Sequence, residues 1–261
     1  MNRHLAACVA VAVIVGAAIS ACTSHADTSA GGAARSGAQG SGTSAPARPA
    51  AAPGCAAAFD PSSFVAVVNN PYYPLPVGRT LVYRGVREGV TQTDTVTVTS
   101  QKKVVDGVTT TVVTDRADHN GRVLEQTSDY FAQDRAGNVW YLGEDTKSID
   151  ADGTVDTSGS WLAGVRGATP GIIMLADPKV PCGYRQEYFK GEAEDTAWIV
   201  GRGASVTVPY GTVHDTLRSL EVTVLEANVV DEKIYAPGIG IVTERSLAGP
   251  TEVAELVKVT G

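Results

Sequence analysis

Basic residues are scarce in this chain. Across 261 residues Lys and Arg number 21 against 28 Asp and Glu, a net charge of −7. The first 54 residues hold only Arg3, Arg35, Arg48 and Asp27 among these types, so the remainder carries 18 bases and 27 acids. Binding to phosphate backbones rests on clustered Lys and Arg, and a body with this balance has no such footprint, which excludes a nucleic-acid partner. Long apolar runs are equally scarce. The one present, Leu5 to Ile19, lies at the extreme N-terminus, which excludes a polytopic helical membrane protein. Motifs that mark chemistry are missing as well: no GxSxG elbow, HExxH helix, CxxC pair, Walker loop or GxGxxG occurs. Aromatic residues make up 6% of the chain, so most of them are needed to fill the core and cannot all line a ligand site.

What is present begins with an export signal. Arg3 and His4 precede the apolar run, which is short for a membrane span and ends in Ile19-Ser20-Ala21-Cys22. That ending resembles a bacterial lipobox, in which small residues precede a Cys that is acylated and becomes the mature N-terminus. The resemblance implies a signal peptide over residues 1–21 and a lipid anchor at Cys22, so the expected partner is a membrane, reached through acyl chains. Each buried methylene contributes about 0.8 kcal/mol, so several chains hold a soluble domain durably where one would not. Thr23 follows where an inner-membrane retention signal of such lipoproteins has Asp. Residues 22–54 are almost entirely Ala, Gly, Ser, Thr and Pro. Such a stretch buries too little apolar surface to offset its ordering entropy and reads as a flexible tether with a reach of roughly 30 Å.

With Cys8 in the signal peptide and Cys22 lipidated, Cys55 and Cys182 remain in an oxidising compartment. A disulfide between them is the default, and the chain-entropy model values a loop of that length at roughly 5 kcal/mol.

Residues 55–261 read as a single all-β domain. Thr95-Val96-Thr97-Val98-Thr99 alternates with period two, the mark of a half-buried strand. Two further strand-like runs flank Asp106-Gly107, a pair suited to a type I′ hairpin turn. More strands are expected over 79–87, 123–131, 139–143, 184–189, 196–200, 206–208, 218–229, 234–235, 240–246 and 253–259, and a Pro-led helical turn at Pro61 capped by Asp60. Sequential strands with short turns favour an antiparallel meander curling into a barrel or half-barrel, with a two-sheet sandwich as the alternative.

Several stretches are distinctive. Asn69-Asn70-Pro71-Tyr72-Tyr73-Pro74-Leu75-Pro76-Val77-Gly78 resembles the opening of a set of secreted bacterial and archaeal proteins of unknown function. Segments 129–144, 184–195 and Lys233-Ile234-Tyr235-Ala236-Pro237-Gly238-Ile239-Gly240 are similar to the same set, which carries no activity to transfer. More loosely, strands ending in a Tyr-Ala-Pro-Gly turn resemble envelope proteins with a LolA-like half-barrel. That likeness implies a concave face able to hold an apolar small molecule or lipid.

Two residue groups stand out as candidate sites. Glu187, Glu192, Glu194 and Asp195 could bind a divalent cation or divide acid and base roles, although alternation sends Glu192 and Glu194 to one face and Asp195 to the other. Asp129, Tyr130, Asp134 and Trp140 place aromatic area beside polar groups, as binding pockets do, while Asp134 to Asn138 is more simply a turn. The run Asp150 to Asp156 fails EF-hand spacing, because Val155 stands where Gly is required. His119 and His214 have no marked nucleophile in sequence and read as surface residues. The sequence thus points to a lipoprotein with a binding or envelope role and no implied cofactor. A metal-dependent hydrolase and a surface module engaging another envelope protein are the alternatives.

Overall fold

The structure is a computed structural model that describes residues 55–261. The expected signal peptide over 1–21, the lipidated Cys22 and the tether over 22–54 lie outside the described residues. A 3-10 turn, Pro61–Ser63, is capped by Asp60, whose side chain accepts the amide of Ser62. It leads into the short strands β1 (Phe64–Val65), β2 (Asn69–Asn70) and β3 (Tyr73–Pro74). A meander follows: β4 (Thr80–Arg87), β5 (Val90–Val105), β6 (Val108–His119), β7 (Arg122–Asp134) and β8 (Val139–Ile149). Short strands β9 (Val155–Asp156), β10 (Trp161–Leu162), β11 (Thr169–Met174), β12 (Cys182–Arg185) and β13 (Glu187–Tyr188) come next. A second meander closes the chain: β14 (Asp195–Val208), β15 (Gly211–Thr223), β16 (Val230–Ala236), β17 (Gly240–Ala248) and β18 (Glu252–Thr260).

Sixteen of these strands form one antiparallel sheet whose path runs β12-β14-β15-β16-β17-β18-β4-β5-β6-β7-β8-β11-β13. Its two ends, β12 and β13, are consecutive pieces of one segment, so the sheet curls into a nearly closed barrel. The link between the two meanders is the β18–β4 pairing, which joins the C-terminal strand to the first long one. The expected all-β meander is therefore found, as a barrel and not a sandwich. At Asp106-Gly107 both residues have positive φ, 46° and 78°, as a type I′ turn requires, and Val105 pairs Val108 across it.

Alternation decides the interior. On β5 the buried residues are Gln92, Asp94, Val96 and Val98, and their cross-strand neighbours Ala117, Asp115 and Val113 on β6 share that face. One half of the barrel is apolar, built on Leu81, Val96, Val98, Val113, Leu217 and Leu256. Aromatic rings run through it in contact: Tyr73 to Phe131 at 5.3 Å, Phe131 to Tyr141 at 4.9 Å and Tyr141 to Trp161 at 5.3 Å.

The segment from Asn69 to Gly78 caps this end. Gln133 Oε1 accepts the amides of Asn69 and Asn70, and Asn70 Nδ2 donates to the carbonyls of Gly137 and Leu175. The Pro237-Gly238 turn meets the cap: Gly238 donates to the Pro71 carbonyl, and Arg79 donates to the carbonyl of Gly238. Two of the distinctive sequence stretches thus form one lid. Beneath it Tyr73, Leu75, Leu81, Val96, Val113 and Ile241 surround a cavity of about 30 Å³.

Cys55 and Cys182 form a disulfide with Cα atoms 5.6 Å apart. It ties the first described residue to the start of the segment that closes the sheet.

Candidate functional site

The other half of the interior is lined by carboxyl groups. Asp94 of β5, Asp115 of β6, Glu125 and Asp129 of β7 and Glu144 of β8 follow one another around the wall in register. Across from them stand Glu187 of β13 and Asp195 of β14, then Glu221, Asp231, Glu244 and Glu252 on β15 to β18. Among the described residues the cations on this inner face are Lys233 and Arg87. Lys233 Nζ lies 2.8 Å from Glu221 and 3.8 Å from Glu244, and Arg87 lies 3.5 Å from Glu252. The interior therefore has far more acids than bases to neutralise them.

An ionised carboxylate in such a place loses hydration without gaining a counterion, so it keeps its proton. Burial pushes Asp94 up to about 7 and Asp129 to about 8, the latter helped by the charge of Asp115 and opposed by the Tyr141 hydroxyl, which donates to Asp129 Oδ1 at 2.8 Å. Burial also raises Glu187 and Glu144 well above the carboxylate range, with Asp195 and Asp129 respectively adding repulsion. Asp195 is pushed up to about 7 by burial, partly offset by a bond from Thr223. Lys233 moves up: burial alone would lower it, but the Glu221 and Glu244 carboxylates outweigh that. Asp94 and Asp115 lie near each other, and burial together with the Asp94 charge raises Asp115 well above the usual carboxylate range. Both Asp94 oxygens, Glu144 Oε1, Glu187 Oε1, Asp195 Oδ1 and Glu244 Oε2 are buried without a hydrogen-bond partner.

The structure divides both candidate groups read from the sequence. Glu187 and Asp195 point inward and are buried, whereas Glu192 and Glu194 sit half-buried on the preceding turn, where Glu194 Oε1 accepts the amide of Gly191. Strand alternation separates them, and among the described residues no three His, Cys, Asp or Glu are grouped to hold a metal ion. In the second group Asp129 faces the interior while Tyr130, its neighbour, faces outward under the Lys103 ammonium at 4.1 Å. Asp134 organises a turn: it accepts the Asn138 amide, Asn138 Nδ2 and Trp140 Nε1 at 2.8 to 2.9 Å. Trp140 packs on Phe59 and Phe64 on the outside of the barrel. These four residues do not share a pocket.

The histidines are surface groups. His119 bonds the carbonyl of Thr91, and His214 Nδ1 lies 2.8 Å from Ser205 Oγ across the exposed β14–β15 hairpin. Nothing on that outer face shields this pair from water, as acyl-transfer chemistry would require.

A more suitable concavity lies beside the closure of the sheet. Glu144, Trp161, Leu162, Val165, Arg166 and Phe189 line a cleft of about 180 Å³, with Asp145 and Ser160 on its edge. β10 places Trp161 beside Glu144 through its pairing with β8, and the turn after β13 brings in Phe189. Trp161 Nε1 donates to Glu187 Oε2 at 2.9 Å, which fixes the indole as a wall. The Arg166 guanidinium covers the Phe189 ring at 5.1 Å. Sequence reading missed this site because Trp161, Arg166 and Phe189 lie in a stretch without periodicity and are joined only by the closure.

No family model matches the chain, and no curated protein does. Among solved structures, a candidate lipoprotein from Parabacteroides distasonis ATCC 8503 is similar with a TM-score of 0.39 and 10% identity over 73% of this chain and 99% of that one.

Proposed function

We propose that this protein is a lipid-anchored, extracytoplasmic binding protein whose barrel receives a small apolar group in the cleft between β8, β10 and the turn after β13. The observation that carries this reading is the cleft itself. Its 180 Å³ compares with about 150 Å³ for an apolar cavity known to accept benzene, so it suits a ring-sized moiety or the end of a larger molecule. The apolar cavity under the lid, about 30 Å³, has no room for an acyl chain. Aromatic and aliphatic walls with a few polar groups at the edge are the usual make-up of a ligand site. Arg166 and Asp145 in its lining favour a ligand that also carries a polar or zwitterionic portion.

Native mass spectrometry of the protein purified from its own host tests the binding. A co-purifying small molecule is expected on the wild type and not on Val165→Trp, which fills the cleft from a half-exposed position. A bare mass for both proteins overturns the binding reading. Labelled palmitate is expected to enter the wild type and not Cys22→Ala; equal labelling removes the anchor.

A further inference from the structure

We propose that the closure of the barrel is a pH-operated gate, in which deprotonation of Glu144, Glu187 and Asp195 parts the Cys182–Tyr188 segment from β11. The gate stands on the geometry of this seam, whatever the neighbouring cleft binds.

The seam is the shortest pairing along the path of the sheet. β12 is paired to β14 over four residues, and Gln186 adds a bond to the Asp195 carbonyl. On its other side the same segment pairs with β11 at Thr169↔Tyr188 and Pro170↔Glu187, and the Tyr184 hydroxyl donates to the Ile173 carbonyl at 3.4 Å. Proline has no amide hydrogen, so one of these two positions cannot donate to the ladder. Behind the joint sits Glu187, fully buried, with one oxygen bonded to Trp161 and the other without a partner. The elements packed around it present Glu144 and Tyr141 from β8, Asp195 from β14 and Lys233 from β16. Asp195 in turn faces Glu221 and Asp231, and Glu144 faces Asp129 and Glu125. The cation, Lys233, is held by Glu221 at 2.8 Å and offsets only part of the burial of Glu187 and Asp195. β11 contributes no charge to balance the three acids.

While each of the three acids holds a proton the joint is neutral and shut. As pH rises past about 7 Asp195 ionises; burial holds Glu187 and Glu144 well above the usual carboxylate range, so any charge they take on adds to it. The new charge then sits behind the two-residue joint, and parting that joint admits water to Glu187 and Asp195. The disulfide and the four-residue pairing keep β12 on β14, so the opening runs between β13 and β11.

Hydrogen exchange read by mass spectrometry at pH 5.5 and pH 8.5, compared as protection factors, tests the gate on the intact domain. Peptides covering residues 169–174 and 186–189 are expected to lose at least tenfold more protection at the higher pH than the Val98/Val113 region of β5 and β6. Glu187→Gln retains an acceptor for Trp161 and carries no charge, so it is expected to abolish the difference; Asp195→Asn gives the same readout should that variant fail to fold. Equal protection at both pH values overturns the proposal. So does a uniform loss that includes β5 and β6, or a loss at the seam that persists in the neutral variants.

Discussion

Asp134 shows how one side chain sets a local structure. Its carboxylate collects three donors within six residues, and the bond from Trp140 Nε1 orients an indole that Phe59 and Phe64 then cover. Asp134→Ala leaves these buried donors unmet and is expected to destabilise by about 2–3 kcal/mol in urea unfolding, without changing the mass of any bound ligand. Lys233 is the opposite case, a buried cation among acids. Lys233→Met is expected to cost about 3–5 kcal/mol in urea unfolding at neutral pH, because it leaves the Glu221 carboxylate buried without its counterion. Adding Glu221→Gln to that variant is expected to recover part of the loss, which a packing defect would not allow. On the outer face Glu232, almost fully covered, lies between Arg218 and Arg245, so a buried acid is tolerated wherever two guanidinium groups reach it.

Among the elements, the long hairpins carry strong local signals and the seam carries almost none. Val96, Val98 and the Asp106-Gly107 turn make β5 and β6 legible from sequence, since alternation and a positive-φ pair are local properties. β11 was invisible because Pro170 and Gly171 are poor strand residues, and its reason for being a strand is distant. A Cβ at Gly171 would lie 2.2 Å from the carbonyl oxygen of Gln186, so only glycine lets the closing segment approach. Gly171→Ala is expected to melt at a lower temperature and to raise exchange at residues 186–189 selectively. The candidate acids were legible as a cluster, and alternation already set Asp195 apart from Glu192 and Glu194; that Glu187 joins Asp195 inside depends on the distant closure of the sheet. Reducing the disulfide, or replacing Cys55 and Cys182 by Ser, is expected to cost about 2–5 kcal/mol in urea unfolding.

At the scale of the whole molecule the carboxyl-lined half sets the response to pH. In the folded state these groups bind protons more tightly than in the unfolded chain, so unfolding releases protons between about pH 4 and pH 8. Stability therefore falls as pH rises through that window, by at most about 1.4 kcal/mol per pH unit for each such group, and levels off above it. The melting temperature is expected to be highest near pH 5 and clearly lower at pH 8. A rise over the same range would mean that the interior acids are ionised in the fold.

The cystine at Cys55 has a mechanical consequence. A barrel suspended from a membrane by the residues that precede it would take any load on that strap at Cys55, and covalently at once at Cys182. Force would bypass the lid and the aromatic stack and enter β12 end-on, along its ladder with β14. Tugging on the strap would strain the fold at its fastening and leave its interior at rest.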